Sequence, residues 1–383
     1  MGYTSAQTER IMINKTFIIG ITGNIATGKS VIRRMLANAG VMTIDADVLA
    51  NRMIYPGGPA YQAVIEAFGT EIKTKNGRIS HQQLGQIVFN DPEKLKQLEA
   101  LIHPPVIHAI LKRTKTAGRP VVAIEAIKLL ESDLGGYCDS IWVSHATYKS
   151  QMQRLMHTRG LSEQAARTRI EAQSQQLTKL SQADVIINTE ASFKDTWMRT
   201  QIALNDTIQP PYQEPPTHIN SSKDGLLTPI SRIATEQVES AWVDLAQADT
   251  SALYEHLGMQ VVLPVLNQDR IDAFLIWRDW NFTATLEKVY PASFLNTQAE
   301  LAFDSFERMA RLNQVEFLLI AEDLTSLAEL QPTQFGYFQQ HADQVTYPAW
   351  QQAAEKTAPG QRSSLWMKVL TQPFEMESTT VIQ

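Results

Sequence analysis

The feature that most constrains this chain lies near its start. Residues 16–22 (TFIIGIT) form a short apolar run, and the next eight, Gly23 to Ser30 (GNIATGKS), satisfy the spacing G-x-x-x-x-G-K-[ST]. Residues 29–39 then show helical spacing, with Val31, Ile32, Met35 and Leu36 apolar and Arg33 and Arg34 polar. A buried strand, a glycine loop and an amphipathic helix in that order predict a parallel α/β sheet whose first turn wraps a phosphate. Gly23 and Gly28 permit backbone geometry and close approach that a side chain blocks. The loop residues Asn24, Ile25, Ala26 and Thr27, with Val31 and the helix N-terminus behind them, present N–H groups to an anion. Lys29 is placed to reach the β- and γ-phosphates of a nucleotide, and Ser30 to ligate Mg²⁺. A purely structural glycine loop is the bland alternative. The strand before it and the helix after it argue against that.

The rest of the first half keeps the alternation. Short strands are expected at 41–44, 120–124, 140–144 and 183–188, with helical segments over most of 59–117, 149–180 and 192–205. This predicts a five-stranded parallel sheet covered on both faces. Residues 206–224 (DTIQPPYQEPPTHINSSKD) carry four prolines and no apolar period, which reads as a linker. The expected division is an N-terminal extension at 1–15, a nucleotide-binding unit at 16–205, a linker at 206–225 and a second α/β unit with a mixed sheet at 226–383. In the second unit, helices are expected near 235–247 and 251–257, then strands at 260–266, 270–277 and 283–289. A helix at 297–312, a strand at 315–321, a short helix near 324–330 and a last strand at 364–370 complete it.

A chain of 383 residues is long enough for two such cores. A net charge of −6 offers no basic footprint, so nucleic acid is not an expected partner. The lone Cys138 cannot form an intrachain disulfide or a cysteine-rich metal site, and fits a reducing, cytoplasmic setting. The first fifteen residues lack an apolar signal core, Ala6 breaks the myristoylation pattern, and no apolar run is long enough to span a bilayer.

A phosphate loop by itself does not name a reaction. The absence of an N-K-x-D guanine signature argues against a GTPase. Asp45 and Asp47 follow the second strand directly in TIDAD (residues 43–47), at the end of the sheet where ligands bind in such folds. A carboxylate there can orient an acceptor hydroxyl and take its proton. It can equally cap the next helix.

Taken together, GNIATGKS, IDAD (44–47), LIHP (101–104), IEAIKLLE (124–131), RLMHTRGLS (154–162), RIEAQ (169–173) and ADVIIN (183–188) closely resemble dephospho-coenzyme A kinase from about residue 16 to 205. The resemblance implies transfer of the γ-phosphoryl group of ATP, with Mg²⁺, to the ribose 3′-hydroxyl of dephospho-CoA. It implies that Asp47 is the base and that His103 lies on the acceptor side, against a helix-end histidine held by packing before Pro104. It places Glu125 at the metal, although this chain has Glu125 for the usual Asp and Ile127 for the usual Pro. A solvated strand-end acid is the alternative there. Arg154 and Arg159 belong to a helical hairpin bent at Gly160, with Arg167 and Arg169 beyond it, and would form a cationic lid. An exposed basic face is the plain alternative. Thr158 stands where the family commonly has arginine, so Arg159 would act from the neighbouring position. Gln173 and Asn188 match elements near the adenine, or are ordinary caps.

The second unit resembles a GNAT-type N-acetyltransferase in the order of its elements, with 282–291 as central strand, 299–313 as the next helix and 316–324 as the next strand. The glycine-bearing phosphate cradle of that family should follow Val289. Residues 291–298 (PASFLNTQ) contain no glycine. The expectation is a degenerate, non-catalytic unit.

Overall fold

The computed structural model describes residues 16–89, 91–173, 176–208, 228–267, 269–280, 282–320, 324, 332–357 and 364–371. The first sheet contains β1 (Phe17–Thr22), β2 (Met42–Asp45), β3 (Val121–Glu125), β4 (Ser140–His145) and β5 (Val185–Asn188), all parallel, in the order β2–β3–β1–β4–β5. The five expected strands are these five, with ends shifted by one or two residues.

Alternation decides which side chain serves which face. Val122 and Ile124 of β3 join Met42 and Ile44 on one face, beneath the helices Ala46–Met53, Tyr61–Phe68, His81–Val88 and Pro92–Ala117. Val121 and Ala123 join Ile19 and Ile21 on the other face, against the loop helix Lys29–Asn38 and the helix Phe193–Thr207. Asp45 and Ile21 both sit in register with Glu125, so β1, β2 and β3 end at the same level.

The second sheet contains β6 (Val261–Asn267), β7 (Arg270–Trp280), β8 (Thr283–Tyr290), β9 (Phe317–Ile320), β10 (Phe338–His341) and β11 (Ser364–Val369), in the order β10–β11–β9–β8–β7–β6. Its one parallel pair, β8 with β9, is bridged by the helix Phe294–Leu312, because a parallel return needs a crossover. The other pairs are antiparallel.

The two units share a core. Ile32, Met35 and Leu36 of the loop helix pack in one apolar cluster with Trp242, Leu257, Val262 and Phe274 of the second unit. Asn38, at the end of that helix and 2% exposed, donates through Nδ2 to the Leu257 and Gln260 carbonyls at 2.9 Å each and accepts from Val262 N–H at 2.7 Å. A second contact is ionic. Glu316 takes Arg52 Nη2 on one oxygen at 2.8 Å and Arg113 Nη2 on the other at 2.6 Å, with all three side chains buried.

Several expectations change. His103 is not at a helix end: the helix Pro92–Ala117 runs straight through Pro104 and Pro105, held against the sheet by Val106, Ala109 and Ile110. Asp206 and Thr207, expected in the linker, are the last turn of the helix Phe193–Thr207. The rest of the linker, the extension 1–15 and nearly all of the short helix near 324–330 lie outside the described residues. Two elements had no sequence signal. The strand β10 is almost wholly exposed and so lacks an alternating apolar pattern, and the helix Pro348–Thr357 buries only Ala349, Trp350, Ala353 and Ala354.

Candidate active site

The site grows from the end of β1. The loop turns at Gly23 (φ 144°) and Gly28 (φ 95°), and Gly28 begins the helix Lys29–Asn38 in the left-handed region, which disfavours a side chain. A Cβ on Gly28 would also meet Thr189 at 2.9 Å. Thr27, fully buried, bonds back to the Asn24 carbonyl at 2.7 Å and to the Ser144 hydroxyl on β4 at 2.6 Å, which fixes the loop to the sheet. Ala26 adopts a φ of 59°, and Val31 lies in the first helical turn, its N–H donating to the Gly28 carbonyl at 3.0 Å.

Lys29 is 7% exposed and donates to the Asn24 carbonyl at 3.1 Å. Burial lowers its pKa, while the charges of Glu125 and Asp47 pull it back up. Ser30 donates to Glu125 Oε1 at 2.6 Å, and Arg33, one turn further, donates through Nε to Glu125 Oε2 at 3.0 Å. Glu125 is therefore a buried acid facing the loop, not a solvated strand-end residue. Among the described residues, no group of three acidic, histidine or cysteine side chains could hold a metal unaided. A hydroxyl and a carboxylate side by side fit Mg²⁺ instead, which takes oxygen ligands and completes its shell with phosphate and water. ATP and Mg²⁺ thus meet a suitable set of groups.

The two TIDAD carboxylates separate by function. Asp45 is the N-cap of the helix Ala46–Met53, its Oδ1 accepting from Val48 N–H at 3.0 Å. Burial, then the charge of Glu125, raises its pKa to about 6 despite Arg33. Asp47 is water-accessible at the mouth of the site, held by Ile127 N–H at 3.3 Å. The protein around it still desolvates it, and with Glu125 raises its pKa, while Lys29 opposes the rise. An accessible carboxylate with a raised pKa suits a base better than a half-buried helix cap does.

The helices Tyr148–Arg159 and Glu163–Glu171 form the expected hairpin, turning at Gly160 (φ 63°) with Ser162 as N-cap. Arg154 Nη1 donates to the Ala26 carbonyl and to Thr189 Oγ1, each at 3.0 Å. Arg159 is exposed, and its charge is felt at Lys29. Gln173 Oε1 accepts from Ile25 N–H at 2.6 Å, so it occupies a loop amide. Arg167 pairs with Glu171 on the surface and is an ordinary exposed charge. Asn188 accepts from Glu190 N–H at 2.9 Å, a turn-forming bond after β5. His103 is half-buried on its helix.

Two residues with a place here carried no signal of their own in the sequence. Lys179 is 3% exposed, pairs with Glu131 at 3.2 Å and donates to the Ile127 carbonyl, and its charge reaches both Lys29 and Asp47. Thr189 joins the lid to the loop by donating to the Thr27 carbonyl at 2.8 Å. A groove of about 760 Å³ lies at the opposite, amino end of the strands beside Phe17, Ser140 and Val185, away from these groups.

The model of the family described as dephospho-CoA kinase matches residues 17–195. A dephospho-CoA kinase of Carboxydothermus hydrogenoformans is 40% identical over 182 residues, covering 47% of this chain and 88% of the relative. One of Streptomyces avermitilis is 35% identical over 196 residues, covering 51% of this chain and 96% of the relative. Among solved structures, TT1252 from Thermus thermophilus is 28% identical with a TM-score of 0.47, covering 51% of this chain and 98% of that one.

Proposed function

The chain belongs to the dephospho-CoA kinase family, and we propose that its first unit transfers the γ-phosphoryl group of ATP to the ribose 3′-hydroxyl of dephospho-CoA. The observation that carries the reading is the convergence of Lys29, Ser30, Asp47 and Glu125 where β1, β2 and β3 end together.

Lys29 and the loop amides hold the phosphates. Ser30 and Glu125 would hold Mg²⁺, which when bound offsets the negative charge of the β- and γ-phosphates. Asp47 orients the 3′-hydroxyl and receives its proton as the oxygen bonds to the γ-phosphorus. The bond to the β–γ bridging oxygen breaks, and ADP leaves. Arg154 and Arg159, on the hairpin, close over the charge that develops and exclude water. Gln173 yields the Ile25 amide to a phosphate oxygen as the loop fills. His103 contributes to the acceptor side. A cytoplasmic setting goes with ATP as substrate, and among the described residues no helix is long and apolar enough to cross a membrane.

We read residues 226–383 as acetyltransferase-like in architecture and without that chemistry. The strand–helix–strand crossover between β8 and β9 in an otherwise antiparallel sheet supports the first part. For the second, the N–H groups of Phe294, Leu295 and Asn296 donate to the carbonyls of Pro291, Ala292 and Ser293 at 3.0, 3.2 and 3.1 Å, so they do not face a pyrophosphate.

The test is ADP release by the full chain with ATP, Mg²⁺ and dephospho-CoA, beside the same reaction with nucleoside monophosphates. Turnover restricted to dephospho-CoA supports the reading. Turnover only with a nucleoside monophosphate would replace it with another kinase of the same architecture.

A further inference from the structure

We propose that the second unit contributes a positioning residue to the phosphoryl-transfer site: Asp279 of β7, acting through Arg33, sets the orientation of Glu125 and its availability to a metal ion. The inference rests on the kinase reading above.

The geometry is a chain of direct contacts. Asp279 Oδ2 accepts from Arg33 Nη1 at 2.8 Å. The same nitrogen reaches Thr43 Oγ1 at 3.2 Å, and Arg33 Nε reaches Glu125 Oε2 at 3.0 Å. The other oxygen of Glu125 accepts from Ser30 at 2.6 Å. Arg33 is 5% exposed and fixed on the loop helix, between the carboxylate assigned to the metal and a carboxylate of the second sheet. Burial works against the Asp279 charge, but Arg33 and Arg34 hold the residue ionised.

The balance of charge gives Asp279 its effect. Arg33 faces two carboxylates at once, Glu125 of the first unit and Asp279 of the second. With Asp279 present, Arg33 divides its attraction between two acids and Glu125 keeps negative charge for a divalent ion. With Asp279 neutral, Arg33 turns wholly to the first unit, drawing Glu125 from Ser30. A cavity of about 140 Å³ bordered by Ser30, Asp45 and Asp279 and walled by Trp277 and Trp280 lies between the units at this point.

The experiment is calorimetric binding of ATP to the full chain with and without Mg²⁺, for the wild type and for Asp279→Asn. Wild-type protein should bind ATP more tightly with Mg²⁺. In the variant, metal-free ATP should bind as well or better, and the tightening due to Mg²⁺ should fall roughly 3–10-fold, the scale of one unit charge acting at this range. In turnover, the Mg²⁺ concentration required should rise by a similar factor with the KM for dephospho-CoA unchanged, and Asp279→Glu should restore it. A melting curve establishes that the variant is folded, and Asp279→Ser serves for the same titration if Asp279→Asn is not. A merely structural role would lower the melting temperature and leave the metal dependence alone. Equal Mg²⁺ tightening in folded variant and wild type overturns the proposal. A wild type inert toward dephospho-CoA overturns the kinase reading instead, while the ATP titration still reports on Asp279.

Discussion

Glu316→Gln tests how firmly the two units are joined. Glu316 is 1% exposed, and its two oxygens take Arg52 and Arg113, both almost completely buried. Phe282 lies under both guanidinium groups, at 4.8 and 3.7 Å from its ring centre, and Tyr347 and Trp350 complete the surroundings. Glutamine keeps the shape and removes the charge, leaving two like charges in a space that water does not reach. Breaking a buried pair from one side typically costs about 3–5 kcal/mol. Two cations lose the same carboxylate charge here, so the upper part of that range is expected. For a chain of 383 residues unfolding as one unit, at about 1.2 °C per kcal/mol, the melting point should fall by roughly 5 °C. Urea unfolding followed by tryptophan fluorescence and by far-ultraviolet circular dichroism measures the loss. The two probes should move together, because the loop helix belongs to a core shared by both units. Adding Arg113→Met to the variant should recover part of the loss. A variant within about 1 kcal/mol of the wild type would refute the reasoning, because the pair would then be solvated or dispensable.

Asn38→Ala strands three main-chain groups of the second unit and should cost about 3 kcal/mol, read by the same urea titration. Asp45→Asn keeps the helix cap and removes an acid whose native pKa, about 6, lies above its unfolded value of 3.8. The wild type binds more protons folded than unfolded in that window, so its stability falls as pH rises through it. The variant should therefore match the wild type below pH 4 and exceed it by about 3 kcal/mol well above pH 6, measured by unfolding across pH. A difference that does not change with pH would contradict this. Arg154→Ala removes a side chain that donates to the Ala26 carbonyl and Thr189, and should lower kcat roughly 100-fold in steady-state assays with saturating ATP.

Much of the first unit was legible because its signals are local. The strands β1 and β3 are near-continuous apolar runs, as buried parallel strands must be, and the loop spacing marks its own place in the fold. Asp45 and Asp47 could be located but not told apart from sequence. Two residues of difference along the chain decide which carboxylate turns back to cap Val48 and which faces the mouth. Lys179 read as one more charge on a polar helix, because nothing near it in sequence shows that Glu131 and the Ile127 carbonyl enclose it. Arg33 looked like the polar side of an amphipathic helix, yet a carboxylate 246 residues away meets it. That side is covered because the second sheet packs on the loop helix, and a pattern of one helix cannot reveal what lands on it. The exposed strand β10 escaped for the opposite reason, since an edge strand need bury little on either face.

The most direct measurement is formation of coenzyme A from dephospho-CoA and ATP by the full chain and by Asp47→Asn, with the phosphorylated position identified by phosphorus NMR. The prediction is 3′-phosphorylation by the wild type and a rate about 10²–10⁴-fold lower in the variant, the range for loss of a general base. No coenzyme A from the wild type at any Mg²⁺ and ATP concentration, or undiminished turnover in the variant, would contradict it.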